Sequence, residues 1–250
     1  MKLRPAVFCA IAAFAAAFAV SASAQQAVTF PSGSSTGQGL LYLPTGAGPH
    51  PALIVIHEWW GLNDWIKQEA AGYASKGYVA LAVDLYHGKV ATDAETAHEL
   101  SRGLPQDQGV RDLTSALAYL AKRPSVDPSR IGAVGWCMGG GFALQLAIAA
   151  PTLKAVAINY GALATDSASL AKIHAAVLGN FGGQDRGITP ADVHAFVAAM
   201  KQLGKPVNAK IYPDAGHAFE NPNNTAGYRP ADAADALARV DSFLKKELQN

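Results

Sequence analysis

One six-residue stretch, Gly135-Trp136-Cys137-Met138-Gly139-Gly140, limits what this 250-residue chain can fold into more than any other. The apolar run Ile131-Gly132-Ala133-Val134 before it reads as a buried strand, and Gly141 to Ala150 after it reads as a helix. A thiol set among small residues at a strand-to-helix corner is the arrangement that presents a nucleophile at a sharp turn. Glycines let the backbone reverse and let strand and helix approach closely. The side chain then stands at the turn tip, beside the free N–H groups of a helix N-terminus.

The rest of the chain supplies the sheet that such a corner needs. Apolar strands are expected at Leu40–Leu43 (an edge strand), Ala52–Ile56, Tyr78–Val83, Ala155–Asn159, Ala175–Phe181 and Val207–Tyr212. Helices are expected at Asp64–Lys76, Thr92–Arg102, around Val110–Leu120, after the Thr189-Pro190 cap, and from Pro230 to Leu248. Strands alternating with helices make an α/β fold, a mostly parallel sheet with helices on both faces. Sites in such sheets form beyond the carboxyl ends of the strands. Glu58, Cys137, Asp185 and His217 each fall just past an expected strand end.

The N-terminus reads as an address. Met1-Lys2-Leu3-Arg4 is basic, Pro5 to Val20 is apolar, and Ala22-Ser23-Ala24 is a small-residue cleavage site. That pattern predicts a signal peptide over residues 1–24 and a secreted or periplasmic protein. Residues 25–38 are polar and rich in Gly and Ser, and are expected to wander before the folded domain at 39–250. With 20 Lys and Arg against 19 Asp and Glu, and no basic stripe, nothing points to nucleic acid or to a membrane surface after cleavage. The expected partner is a small molecule, and the expected state a monomer. Of the two cysteines, Cys9 falls in the leader, which leaves Cys137 unable to form an internal disulfide.

A thiol nucleophile needs a base, and the base an orienting acid. Thiolate, not thiol, is the reactive form, and an imidazolium or a helix N-terminus favours it. Cys137, Asp185 and His217 follow one another in the order nucleophile, acid, base. His57-Glu58 lacks the second histidine four residues on that a zinc-binding helix requires, so no metal site is expected there, and no cofactor is implied. Gly33-Ser34-Ser35-Thr36-Gly37 matches a serine elbow by letters but precedes no helix, and is set aside.

Gly135-Trp136-Cys137-Met138-Gly139-Gly140, His57-Glu58-Trp59-Trp60-Gly61, Val83-Asp84-Leu85-Tyr86 and Gly216-His217-Ala218-Phe219 together resemble the dienelactone hydrolase family, from about Leu40 onward. The resemblance implies an α/β-hydrolase fold with a triad of Cys137, His217 and Asp185. It maps a glutamate that controls the thiol's protonation onto Glu58, and the two oxyanion amides onto Met138 and Trp59. The activity it implies is hydrolysis of an ester or lactone. A broader carboxylesterase or thioesterase for apolar acyl groups is the alternative, and a non-catalytic binding module a further one. Trp59, Trp60 and Trp65 are expected to make a partly aromatic pocket, with Trp136 packing the scaffold. The family's two carboxylate-binding arginines have no counterpart at His87-Gly88-Lys89 or Glu220-Asn221. Arg186 and Arg229 are the nearest substitutes along the chain, and with Trp60, Trp65 and Tyr86 they complete the expected substrate contacts.

Overall fold

A computed structural model of the protein describes residues 24–205 and 207–250. The expected leader lies outside the described residues except for Ala24, where the first strand begins. Among the described residues, eight strands form one sheet in the order β1-β2-β4-β3-β5-β6-β7-β8. They are β1 (Ala24–Ser32), β2 (Ser35–Leu43), β3 (His50–Ile56), β4 (Val79–Val83), β5 (Val126–Trp136), β6 (Ala155–Asn159), β7 (Ala176–Gly182) and β8 (Val207–Tyr212). β1 and β2 pair antiparallel, as do β2 and β4, and every pairing from β4 through β3 to β8 is parallel. The helices are α1 (Asp64–Ser75), α2 (Ala94–Arg102), α3 (Gln106–Ala121), α4 (Met138–Ala149), the short α5 (Ser167–Leu170), α6 (Pro190–Gln202) and α7 (Pro230–Leu248).

The two-residue period of a strand divides the core between two faces. In β3, Ile54 and Ile56 join α3, α4 and α6 residues such as Leu117, Leu144 and Phe196. Leu53 and Val55 point the other way, to α1 and α7, where Ile66, Tyr73, Val240 and Leu244 wait. All four β3 side chains are fully buried, which is why the strand reads as a continuous apolar run.

The expectation for residues 25–38 is overturned. They do not wander: β1 and β2 form a hairpin turning at Gly33, whose φ of +60° suits glycine, with Ser32 opposite Ser35. The Gly-Ser stretch that mimicked a serine elbow is this turn. Leu40–Leu43 is correspondingly not an edge strand, since β1 covers it. The signal was a short alternation hidden by polar composition: Val28, Phe30 and Ser32 turn inward while Thr29 and Pro31 face out. Phe30 lies over Gly37 on the partner strand, where a Cβ would meet its ring at 2.2 Å.

Candidate active site

Strand register assembles the site. Ile56 pairs with Gly135, so Trp59 and Met138 each lie three residues beyond a paired position. Gly182 pairs with Tyr212, and the loops beyond them carry Asp185 and His217. Cys137 sits between β5 and α4 with φ 53° and ψ −119°, a strained conformation for a residue with a side chain. Its N–H donates to the Asn159 carbonyl at 3.0 Å, and its own carbonyl accepts from Gly141 at 3.2 Å. Two glycines make the corner possible. A Cβ on Gly135 would lie 2.1 Å from the Gly139 oxygen, and one on Gly139 would lie 2.3 Å from the Ile56 oxygen.

The three candidate residues meet. Nε2 of His217 lies 3.1 Å from the Cys137 sulfur, and Nδ1 lies 2.6 Å from Oδ2 of Asp185. The other Asp185 oxygen accepts from the N–H groups of Gly187 and Ile188 at 2.8 and 3.1 Å. Burial disfavours charge on both partners of the ion pair. For Asp185, the bonds from His217, Ile188 and Gly187 overcome that cost and hold its carboxyl below the usual range. For His217, burial is likewise outweighed by the bonds to Asp185 and Cys137 and by their charges, which lift the imidazole to about 10. Asn224 fixes the histidine backbone by donating its amide to the His217 and Ala218 carbonyls, both at 3.2 Å.

Glu58 lies beneath this line, 1% exposed. Its Oε2 accepts from the Asn221 amide at 2.6 Å and its Oε1 from the Tyr160 hydroxyl at 3.3 Å. Burial raises its carboxyl to about 7, against the opposing pull of Asn221, His217 and Tyr160. Its bonds go to those two side chains and not to the sulfur. His57, fully buried, pins the Glu58 backbone: Nδ1–H donates to the Glu58 carbonyl at 2.6 Å, and Nε2 accepts from Leu85 N–H at 3.2 Å. Burial holds that imidazole below its usual range, against the opposing pull of the Glu58 carbonyl and the Asp84 charge. The amides of Trp59 and Met138 donate to no group among the described residues, which leaves both free for an incoming oxygen.

A cavity of about 730 Å³ opens over the sulfur, with Trp59 and Trp60 along one wall and the loop from Asn221 to Ala226 along another. The two indoles meet edge to face at 5.1 Å, and Trp59 also meets His98 of α2 at 4.7 Å. The remaining expected substrate contacts lie elsewhere. Trp65 is on the buried face of α1 and packs edge-on against Trp136, so it is core. Tyr86 packs on His57, donates to the Met138 sulfur at 3.2 Å and feels the Cys137 charge, but does not line the cavity. Arg229 turns back to the carbonyls of Ala226 and Tyr228, and Arg186 does not line the cavity. A helix position or a nearby residue number fixes neither the direction of a side chain nor its reach, and the sequence offered nothing more for these four.

The sequence reading passed over Tyr160, Asn221, Asn224 and Glu220. Tyr160 bonds Glu58 and stands edge-on to His217 at 5.3 Å. Glu220 accepts the Trp136 indole N–H at 3.0 Å, leaves its second oxygen without a partner, and is raised to about 8 by burial.

The dienelactone hydrolase family model matches residues 38–248. Among curated relatives, a "Putative carboxymethylenebutenolidase" of Methylorubrum extorquens is 32% identical over 218 residues, covering 82% of this chain and 75% of that one. A "Probable 2-oxo-3-(5-oxofuran-2-ylidene)propanoate lactonase" of Bradyrhizobium is 31% identical over 231 residues, covering 86% and 92%. Among solved structures, a "Putative Dienelactone Hydrolase" of Klebsiella pneumoniae superposes with a TM-score of 0.80 at 26% identity, covering 88% of this chain and 98% of that one.

Proposed function

The chain belongs to the dienelactone hydrolase family, and from that premise we propose that it cleaves an ester or lactone with Cys137 as nucleophile, His217 as proton carrier and Asp185 as the group that orients it. The observation that carries this reading is the unbroken line Asp185–His217–Cys137, with contacts of 2.6 and 3.1 Å, ending under an open cavity. The lactonase named among the relatives supports the choice of bond.

The steps follow from the contacts. The thiol proton passes to Nε2, and the sulfur attacks the carbonyl carbon. The carbonyl electron pair moves onto oxygen, where the Met138 and Trp59 amides stabilise it, each donor contributing on the order of 3 kcal/mol. Collapse breaks the C–O bond, and the leaving alkoxide takes the Nε2 proton. Water then attacks the thioester, gives its proton to Nε2, and collapse breaks the C–S bond to release the acid. Asp185 keeps Nδ1 protonated throughout, so that Nε2 faces the sulfur. Glu58 acts from beneath through its charge on His217, and its titration near 7 lies where it changes the site's charge in the working range.

A second reading, an esterase or thioesterase for apolar acyl groups, draws support from the Trp59–Trp60 wall. The test that separates a hydrolase from a binding module is turnover of p-nitrophenyl esters before and after alkylation with iodoacetamide. Turnover that disappears with the thiol supports the hydrolase; an unreactive Cys137 and no turnover support the binding module. Export remains part of the proposal, tested by N-terminal sequencing of protein recovered from the periplasm, where Gln25 is the expected first residue.

A further inference from the structure

The hydrolase reading leaves the substrate's chemistry open, and the cavity walls narrow it. Among the described residues, no Lys, Arg, Asp or Glu side chain lines the cavity. The positive group at its floor, His217, is already bonded to Asp185. Glu58 lies directly beneath, bonded to a lining residue, Asn221. A substrate carboxylate would therefore leave water for a site whose one positive group is already paired, at a cost in desolvation. An uncharged substrate escapes that cost.

The polar groups of the wall differ in how far they are already used. The Asn221 amide donates to Glu58, and the Asn224 amide donates to two backbone carbonyls. Asn63 is different. Its Oδ1 accepts from the Ile66 N–H at 3.2 Å as the cap of α1, which fixes the amide plane. Its Nδ2 donates to nothing among the described residues, and the residue lines the cavity beside Trp60. This is a donor held in place before any ligand arrives, next to an aromatic face. Such a pair suits a molecule with an apolar body and one oxygen acceptor set off from the reacting carbonyl.

We propose that the site selects an uncharged ester or lactone with a second oxygen acceptor, its body lying along Trp60 and that oxygen accepting from Nδ2 of Asn63. The proposal rests on the hydrolase reading above and adds the substrate class. Asn63 is then a specificity residue, apart from the triad.

Two matched pairs of esters test it. p-Nitrophenyl methoxyacetate and p-nitrophenyl butyrate have nearly the same shape and differ in one ether oxygen. The p-nitrophenyl esters of adipic acid and of its monomethyl ester differ in one negative charge. The wild type is expected to favour the methyl adipate over the adipate by at least tenfold in kcat/KM. Asn63→Asp and Asn63→Ser keep an oxygen that caps α1, so both should fold with an unchanged thermal midpoint. In both, the methoxyacetate-to-butyrate ratio of kcat/KM should fall at least threefold, which cancels the intrinsic reactivity difference between the two esters. A ratio unmoved in both variants, or a wild type that favours the free adipate, overturns the proposal and leaves the hydrolase reading intact. Failure of the wild type to turn over any of the four esters removes both together.

Discussion

At Cys137 a strained backbone and a short hydrogen-bonded line coincide, with φ at +53° and the His217 nitrogen 3.1 Å from sulfur. Strain of this kind costs about 1–3 kcal/mol and persists only where the surroundings enforce it. Cys137→Ala and His217→Ala are each expected to lower kcat by at least about a thousandfold, while circular dichroism and the thermal midpoint stay near wild type. Glu58→Gln keeps the size of the side chain and removes its titration. The wild-type pH–rate profile should show a limb near pH 7 that is absent in this variant, and an unchanged profile would take Glu58 out of the site's electrostatics. The triad was legible because three residue types fall past three strand ends in one order. The supporting groups were not, because Asn221 and Tyr160 reach Glu58 across 163 and 102 residues and leave no local pattern. Trp65 shows the converse: a tryptophan near the motif in sequence, turned into the core by its helix face.

The elements bear the next level of constraint. α4 meets the end of β3 so closely that Gly139 faces the Ile56 and His57 carbonyl oxygens, where a Cβ would stand at 2.3 and 2.5 Å. Those are backbone atoms of the central strand and its loop and cannot turn aside. Gly139→Ala should destabilise the protein by about 3 kcal/mol or more, read as a drop in the denaturation midpoint. By contrast, Gly88 has φ +91° and open space around it, so an alanine there should cost only its backbone strain, about 1 kcal/mol. The parallel strands were readable as unbroken apolar runs, since both faces are covered. The β1–β2 hairpin was not, because its inward alternation spans only Val28, Phe30 and Ser32 within a polar stretch, and the tertiary contact of Phe30 on Gly37 completes it. Elements that owe their form to such contacts lie beyond any local reading.

Across the whole molecule, buried carboxyls tie stability to pH. Burial raises Glu58 from 4.5 to about 7 and Glu220 from 4.5 to about 8. The native state therefore holds protons that the unfolded chain has already lost. Stability from these groups is full below about 4.5 and declines as pH rises through 7 and 8, by roughly 1.4 kcal/mol per pH unit for each group within its window. His217, raised from 6.5 to about 10, adds a decline of the same sign over that higher range. Glu220→Gln should flatten the fall in urea midpoint between pH 5 and 8, and equal slopes in both proteins would contradict this. His217 bonds one sulfur and feels the Glu58 charge, and the central claim is that this sulfur carries out the chemistry. The most direct measurement titrates the protein with iodoacetamide while following p-nitrophenyl ester turnover and the mass of the peptide containing Cys137. Activity should fall in proportion to the fraction of Cys137 alkylated and reach zero when it is complete; turnover surviving full alkylation of that residue would contradict the account.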